Sequence, residues 1–523
     1  MTILLSPFTA CPGLFYTTPA QDGILSRLRI PGGILNSEQL HAIANIADNY
    51  GGGYVDVTNR ANLQIREIKQ EINIDILQQL QKMGLGSINP AVDHIRNIMT
   101  SPITGIDSQE LIDTHPLVKA WDEYITENSH LGGLSAKFSV GFDGGGKLSL
   151  KHFPNDITLA AVDIDQGGRK EPKFFPTGKW GHKLVYLILH FCGGEKEKFF
   201  INTGILLTPA QCIPFLGALA EVYLQHTDPS SRRKPRLREV IDNLGWENYL
   251  QQATEYLTAN NLQVAKEIAS QNLTQISKLA NLHDEAKHNN QNNQEMYHIG
   301  IHEQKQSGLY YIGVVLPLGR LQTWQMRGLA DLAAKYGNSN LRLTPWQNLL
   351  ITDIAQEHIA QVQREIAHLE LSYSATNIKS GLVSCSGKRG CAAAATDTKT
   401  HALTLGEYLE THITLDSAIN IHFSGCVKSC AQHHQSDITL LGVKIEAENE
   451  SREGYQVYLG DDTLQQFGRP IYENVTFAEL PQLMERMLKV YQMKRVSSQE
   501  SFREFANRYD ISELKQLFTV QSI

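Results

Sequence analysis

Four cysteines in the C-terminal part of the chain have a spacing that suits a metal centre. They form two pairs, Cys385-x5-Cys391 and Cys426-x3-Cys430, in a chain that contains seven cysteines. A [4Fe-4S] cluster needs four thiolates that converge from short loops. The alternatives are a structural zinc ion, which more often binds C-x2-C pairs, and a chance grouping without any ligand. The spacing favours the iron-sulfur cluster and therefore redox chemistry.

The residues around these cysteines are typical of cluster loops. Residues 384–390 are rich in small residues, and Gly425 precedes Cys426, so the backbone can turn sharply at both pairs. Cys391 opens a run of four alanines. This run predicts a helix whose N-terminus would stabilise the Cys391 thiolate. The remaining cysteines are interpreted as small buried hydrophobic residues: Cys11, Cys192 and Cys212.

An internal duplication sets the organisation of the chain. Residues 30–65 match residues 316–351 without a gap, and matched residues such as Asn62 and Asn348 are 286 positions apart. Each copy reads as strand, helix and strand, with the apolar spacing of a one-sided helix between two β-branched or aliphatic segments. Such units are typical of ferredoxin-like half-domains, and two of them would pair about a pseudo-twofold axis.

A second repeated segment lies downstream of each copy. Asp156 begins the first occurrence and Asp437 the second, 281 positions later. The duplication therefore covers two domain types in the order A, B, A′, B′, and the paired cysteines occur only in B′. We predict an α+β fold with a polar linker between the halves. The predicted boundaries are 1–90 for half-domain A, 91–250 for B, 251–300 for the linker, 301–375 for half-domain A′, and 376–523 for B′ with C-terminal helices.

The overall composition excludes some classes of partner. The chain has 523 residues, of which 41% are hydrophobic, and a net charge of -8. An acidic protein lacks the basic face that nucleic acid or an anionic membrane would require. No apolar run approaches the roughly 20 residues needed to span a bilayer. We therefore expect a cytoplasmic protein with no nucleic-acid or membrane partner.

On these motifs, nearly the whole chain resembles the nitrite and sulfite reductase family. The family has the same C-x5-C and C-x3-C pairs in its second B-type domain. Its last cysteine, here Cys430, also bridges the cluster to the iron of a sirohaem. The resemblance implies two domains of the sirohaem- or cluster-binding type and redox catalysis on or beside a large tetrapyrrole.

The same resemblance assigns roles to polar residues of the first half. Residues 58–64 resemble the family's T-x-R-x-x-x-Q stretch, which gives Arg60 the anion-facing position. Arg96 resembles a second arginine and Lys137 the first of a lysine pair, whereas Ser139 replaces the second lysine of sulfite reductases. A ring rimmed with carboxylates needs guanidinium groups in a broad cleft. We expect Arg60 and Lys137 to be catalytic, and the tetrapyrrole to be bound by Arg60, Asn62, Arg66, Arg96 and Lys137.

Other stretches resemble the precorrin-3B synthase branch of the family, which acts in aerobic cobalamin biosynthesis. They are residues 21–33, 60–64 and 424–430, and Val427-Lys428 stands where nitrite reductases usually have Pro-Asn. This resemblance implies an O2-dependent monooxygenase that hydroxylates precorrin-3A at C20 and forms a γ-lactone. The alternative is a ferredoxin-dependent nitrite or sulfite reductase that carries sirohaem.

The electrons are expected from a separate protein. No G-x-G-x-x-G follows a predicted strand, so the sequence offers no nicotinamide-binding motif. The expected donor is a ferredoxin or an NAD(P)H-linked reductase. His433 and His434 follow Cys430 closely and could reach an iron, but adjacent histidines on a strand point apart, which favours a surface role.

Overall fold

Four five-stranded β-sheets, arranged as two similar pairs, make up the fold. The computed structural model describes residues 13–15, 17–70, 72–150, 153–163, 185–193, 199–228, 230–231, 233–259, 297–447, 450–461 and 466–519. Cys11 and most of the predicted linker lie outside the described residues. Together, the sheets confirm the predicted α+β class and the duplication.

The two half-domain sheets are antiparallel, and each borrows an edge strand from the other copy. Sheet A contains β1 (Thr18–Ala20), β2 (Gly23–Leu28), β5 (Leu63–Ile68), β4 (Tyr54–Val57) and the borrowed β13 (Arg320–Gln322). Sheet A′ contains β11 (Gly300–Glu303), β12 (Leu309–Val314), β15 (Leu349–Ala355), β14 (Asn340–Leu343) and the borrowed β3 (Ile34–Asn36). This exchange produces the predicted pairing about a pseudo-twofold axis.

One hydrophobic core joins the two half-domains. Helices α1 (Ser37–Tyr50) and α7 (Thr323–Tyr336) pack against each other and cover one face of each sheet. The residues of α1 at the predicted apolar spacing are fully buried: Leu40, Ile43, Ala44 and Ala47. Asn36 caps this helix, since its side chain accepts a hydrogen bond from the Gln39 N–H. The half-domains therefore fold as a single packed unit.

Matching asparagines close the same loop in both copies. The Asn62 side-chain oxygen accepts a hydrogen bond from the Ile30 N–H at 2.8 Å, and that of Asn348 accepts one from the Leu316 N–H at 3.0 Å. All four residues are buried. The repeated asparagine is therefore a structural element. In half-domain A it ties the β4–β5 loop to the segment after β2, and in A′ it ties the β14–β15 loop to the segment after β12.

Sheets B and B′ combine three parallel strands with two antiparallel ones. Sheet B contains β6 (Ile98–Thr100), β7 (Val140–Asp143), β8 (Ile157–Asp163), β9 (Val185–Gly193) and β10 (Phe199–Leu207). Sheet B′ contains β16 (Leu382–Ser384), β17 (Ile421–Ser424), β18 (Ile438–Ala447), β19 (Glu450–Leu459) and β20 (Arg469–Thr476). Each has its own hydrophobic core.

The remaining described helices surround the sheets. They are α2 (Ile74–Lys82), α3 (His115–Glu127), α4 (Pro209–Gln225), α5 (Leu237–Leu244), α6 (Trp246–Ala259), α8 (Ile359–His368), α9 (Gly387–Gly390), α10 (Thr398–His412), α11 (Leu480–Lys494), α12 (Phe502–Asn507) and α13 (Ile511–Thr519). Among the helices of the described ranges, none is both long and apolar enough to cross a bilayer. Helix α6 runs across position 250, and the predicted domain boundaries stay predictions.

The paired asparagines give a test of the duplicated fold. Asn62→Ala and Asn348→Ala should each destabilise the protein by about 1–3 kcal/mol, because each leaves a buried backbone N–H without its acceptor. The shift of the urea unfolding midpoint measures this. Asn49→Ala, on the exposed face of α1, is the matched control and should change the midpoint little. A loss confined to one of the two loops would contradict their structural equivalence.

Candidate functional site

The two cysteine pairs begin at the same edge of sheet B′. Strands β16 and β17 are parallel neighbours, with Ser384 opposite Phe423. Cys385 follows the last residue of β16 directly, and Cys426 lies two residues beyond the end of β17. Because parallel neighbours end at one edge of a sheet, the two loops leave the sheet side by side.

The four thiols converge. The Gly425 N–H donates a hydrogen bond to the Cys385 sulfur at 3.2 Å, which ties the second loop to the first. The pKa of the Cys430 thiol is raised by the atoms packed around its sulfur and then by the other three thiols, those of Cys426, Cys385 and Cys391. The hydrogen bond shows that the two cysteine loops touch, and the four thiols lie near enough to interact electrostatically.

In the part of the chain that the structure describes, no three His, Cys, Asp or Glu side chains stand close enough to share one metal ion. A [4Fe-4S] cluster would bind one thiolate at each of its four irons, and this set of four cysteines can supply them. Cys430 is exposed while the other three are partly buried, so one side of the site is open.

The predicted helix after Cys391 is wrong. Helix α9 ends immediately before Cys391, whose N–H donates to the Gly387 carbonyl at 2.9 Å, and the next helix starts only at Thr398. The alanine run instead crosses the second cysteine loop, where the Ala395 N–H donates to the Gly425 carbonyl at 2.8 Å. This tertiary contact outweighs alanine's helix propensity. No helix N-terminus stabilises the Cys391 thiolate.

Arg60 lies at the tip of the β4–β5 loop, next to the cluster domain. Its guanidinium donates to the Asn155 side-chain oxygen at 2.6 Å and to the Pro154 carbonyl at 2.7 Å, both neutral acceptors. Burial lowers the pKa of Arg60. The neighbouring Asn59 donates to the Cys430 carbonyl at 3.1 Å. A small cavity lies between Arg60 and the residues that follow this cysteine: Ala431, Gln432 and His433.

The other predicted polar residues differ in surroundings. Arg96 and Lys137 precede β6 and β7 by a few residues, so both lie at the N-terminal edge of the parallel part of sheet B. Lys137 is exposed, whereas Arg96 is buried and pairs with Asp122 through two hydrogen bonds, at 2.6 and 2.9 Å. Asn62 serves the loop closure described above. Arg60, Arg96 and Lys137 thus remain candidates for anion binding.

Arg66 contacts the first cysteine loop, whereas Arg60 lies near the residues that follow Cys430. Its guanidinium is held by the Asp22 carboxylate and donates to the Gly390 carbonyl, between the first two cysteines. His434 packs against Phe153, with ring centroids 6.0 Å apart. The predicted tetrapyrrole contact of Arg66 stays a prediction, and its observed contacts are with protein.

Sequence reasoning missed a buried ionic contact beside the cluster domain. Asp56 on β4 accepts hydrogen bonds from Arg320 at 2.9 Å and from the Lys399 ammonium at 3.0 Å. Burial alone would raise the pKa of Asp56, but the two cations outweigh it and lower that pKa to about 2. The only sequence signal was an acidic residue in a strand whose repeat counterpart, Arg342, is basic.

Arg29 was also missed. Its side chain is fully buried, and its charge adds to burial in lowering the pKa of His94 to about 4. Arg29 lies two residues before Pro31, in the segment that the Asn62 hydrogen bond holds in place. It adds a further buried cation to half-domain A. The available sequence signal for Arg29 was a charged residue among the apolar residues at the end of β2.

Comparison with known proteins assigns the fold. The family model for the nitrite/sulfite reductase ferredoxin-like half domain matches residues 18–83 and 302–369. The model for the nitrite and sulphite reductase 4Fe-4S domain matches residues 91–261. The ferredoxin–nitrite reductase of Synechococcus elongatus is 30% identical over 91% of this chain and 88% of its own length. The chain belongs to the nitrite and sulfite reductase family.

Other members of the family give the same result. The ferredoxin–nitrite reductase of Leptolyngbya laminosa is 31% identical over 86% of this chain and 82% of its own length. The solved structure of the Mycobacterium tuberculosis NirA protein has a TM-score of 0.70, covering 94% of this chain and 84% of that one, at 22% identity. The similarity to this solved structure supports the assigned fold. Within the family, the chain is an oxidoreductase.

The prediction of a precorrin-3B synthase is wrong, because the relatives that match nearly the whole chain are named ferredoxin–nitrite reductases. The monooxygenase activity, the precorrin-3A substrate and the O2 requirement lose their basis with it. Among the residues used for that prediction, Asn62 closes a loop that recurs in A′, and Val427 is 67% exposed.

The matched 4Fe-4S domain model covers B rather than the cysteine pairs. Residues 91–261 contain only Cys192 and Cys212, which are both buried. Burial raises the pKa of Cys212 to about 12, which disfavours the thiolate needed for metal binding. The cluster assignment therefore depends on the four cysteines of B′.

Serine variants test this assignment. Replacing Cys385, Cys391, Cys426 or Cys430 by Ser should reduce the cluster iron of the anaerobically purified protein, about four atoms per chain, to a small fraction. Iron analysis and visible absorption measure the loss. Cys212→Ala is the matched control and should keep its iron. Equal iron loss in the control, or full retention in the four variants, would contradict the assignment.

The Asp56 contact gives a pH prediction. Its pKa is about 2 in the folded protein and 3.8 in an unperturbed chain, so its stabilisation is present above pH 4 and lost as the pH falls towards 2. Asp56→Asn leaves two cations without their carboxylate and should cost about 3 kcal/mol at neutral pH. Urea unfolding at pH 7 and pH 3 measures both effects. Asp331→Asn, whose side chain is 73% exposed, is the control and should change neither value appreciably.

Proposed function

We propose that the chain is a ferredoxin-dependent nitrite reductase that carries a [4Fe-4S] cluster and a sirohaem. The observation that carries the proposal is the 30% identity with a ferredoxin–nitrite reductase over 91% of this chain. The converging thiols next to the Arg60 loop support it. The reaction would consume six electrons and eight protons per nitrite and release ammonium and two waters.

The cluster would be held by Cys385, Cys391, Cys426 and Cys430. Sirohaem would supply the iron at which nitrite is reduced. The exposed side of Cys430 is compatible with a neighbouring macrocycle, and the Asn59 hydrogen bond holds the Arg60 loop against the Cys430 carbonyl. Ferredoxin, which the names of the relatives include, is the proposed electron donor. An NAD(P)H-linked donor is not named in these relatives.

The polar residues of A and B would bind the anion. Arg60 donates its hydrogen bonds to neutral oxygens, so its charge suits a carboxylate of the macrocycle or the substrate. Lys137 offers an exposed ammonium that can hold nitrite and donate a proton. Arg96 is already paired with Asp122, so its charge is largely compensated and its main contribution would be to fix the edge of sheet B. Arg29 is a further candidate.

The position of Ser139 favours nitrite over sulfite. The N–H and the hydroxyl of Ser139 both donate to the Asp156 carboxylate, at 3.0 and 3.2 Å. Serine is uncharged, so this position lacks the cation that the second lysine provides in sulfite reductases. A site with fewer cations suits a singly charged anion better than one that approaches two charges. We therefore propose nitrite as the substrate.

Nitrite-dependent oxidation of reduced ferredoxin, with ammonium as product, tests the proposal. Lys137→Gln should lower kcat/KM for nitrite by about tenfold to a hundredfold, which corresponds to losing one charge-assisted hydrogen bond. Lys119→Gln is the matched control, because its side chain is 80% exposed on α3. A purified protein without sirohaem absorption and without nitrite turnover would reject the proposal.

A further inference from the structure

Arg66 connects half-domain A to the loop between the first two cysteines. One Nη donates to the Gly390 carbonyl at 3.0 Å, and the other approaches the Ser386 hydroxyl at 3.4 Å. The Asp22 carboxylate holds the same guanidinium with two hydrogen bonds, at 2.7 and 2.9 Å. Only 3% of the Arg66 side chain is exposed. A buried fork of this kind fixes both of its partners.

The loop is shaped to receive this arginine. A Cβ atom added to Gly390 would lie 2.3 Å from the nearest Arg66 nitrogen, which is closer than any side chain tolerates. Glycine therefore allows the guanidinium to reach the backbone directly before Cys391. Since the Cys391 N–H is in turn bonded to Gly387, the arginine contacts the same short turn that positions this cysteine.

Comparison of the two half-domains shows that the Arg66 contact is specific to half-domain A. The counterpart of Arg66 in A′, 286 positions later, is Thr352, which is fully buried and donates to Asp353 at 3.1 Å. The buried arginine of sheet A′, Arg342, contacts the Pro102 carbonyl of domain B and not a cysteine loop. The arginine therefore occurs in the half-domain that contacts the cysteines.

We propose that Arg66, oriented by Asp22, is a positioning residue for the iron-sulfur cluster. It fixes residues 386–390 and turns the cationic side of the buried Arg66–Asp22 ion pair towards them. Reduction adds an electron to the cluster, and a cation in a poorly screened environment stabilises the more negative form. The inference rests on the cluster of the proposed function, but it does not depend on nitrite as the substrate.

The test compares three arginine variants of the full-length holoprotein. Arg66→Gln should accelerate iron loss to a chelator by about tenfold. It should also shift the one-electron reduction equilibrium by about tenfold, which is a potential lower by about 59 mV. Arg66→Lys keeps the charge but not the fork, so iron loss should accelerate while the potential stays near that of the wild type. Arg389→Gln is the control.

Arg389 is a suitable control because it lies on the same loop. Its side chain is 75% exposed and pairs with Asp397, so solvent screens its charge. EPR-monitored redox titration and the rate of chelator-dependent bleaching measure the two effects. Arg66→Gln indistinguishable from Arg389→Gln in both measurements would overturn the inference.

Asp22→Asn keeps the experiment informative if Arg66→Gln does not fold. It leaves the guanidinium in place but removes the carboxylate that orients it, so iron loss should accelerate in the same direction by a smaller factor. Unchanged iron loss in Asp22→Asn would count against the inference. A wild-type protein that binds no cluster would overturn the proposed function, whereas a stable cluster that ignores these substitutions would overturn only the role of Arg66.

Discussion

The carboxylate of Asp56 holds together three separate parts of the chain. It lies on a strand of half-domain A, and its cationic partners come from the exchanged strand of A′ and from the first turn of α10 in B′. Lys399 also donates to the Leu318 carbonyl, which adds a second link between A′ and B′. Because these charges are largely removed from water, none of the three can leave without exposing an unpaired partner. This ionic contact therefore fixes B′, which carries the cysteine loops, against A and A′.

The sequence predicted those features that depend on local pattern or on repetition. The constant offset of 286 positions revealed the two half-domains, because an exchanged pair of similar units must keep the same strand and helix lengths. The cysteine spacing indicated a cluster rather than zinc, because structural zinc more often binds C-x2-C pairs. Asn62 was singled out as a site residue, but the repeat at Asn348 already contained the evidence that its role is in the backbone.

Features that depend on contacts between distant segments were not predictable. The alanine run after Cys391 has the composition of a helix, yet the Gly425 carbonyl draws it into an irregular turn. Arg66 and Arg96 are predicted to bind the tetrapyrrole, and that role stays a prediction, but nothing in the sequence shows that Asp22 and Asp122 reach them. Their carboxylate partners lie 44 and 26 positions away along the chain. Charge alone does not distinguish a binding residue from a paired one.

Divergence between equivalent positions explains how a symmetric fold supports an asymmetric site. Three positions on the A side have counterparts of different chemistry in A′, 286 residues later: Asp56 and Arg342, Arg60 and Trp346, Arg66 and Thr352. Trp346 stacks on His298 with ring centroids 4.7 Å apart. It therefore presents an aromatic ring at the position where half-domain A has the charged Arg60. The half-domain whose side chains contact both cysteine loops thus carries Arg60 and Arg66. Its partner carries apolar or neutral groups there, and its own buried arginine is satisfied by backbone carbonyls of B.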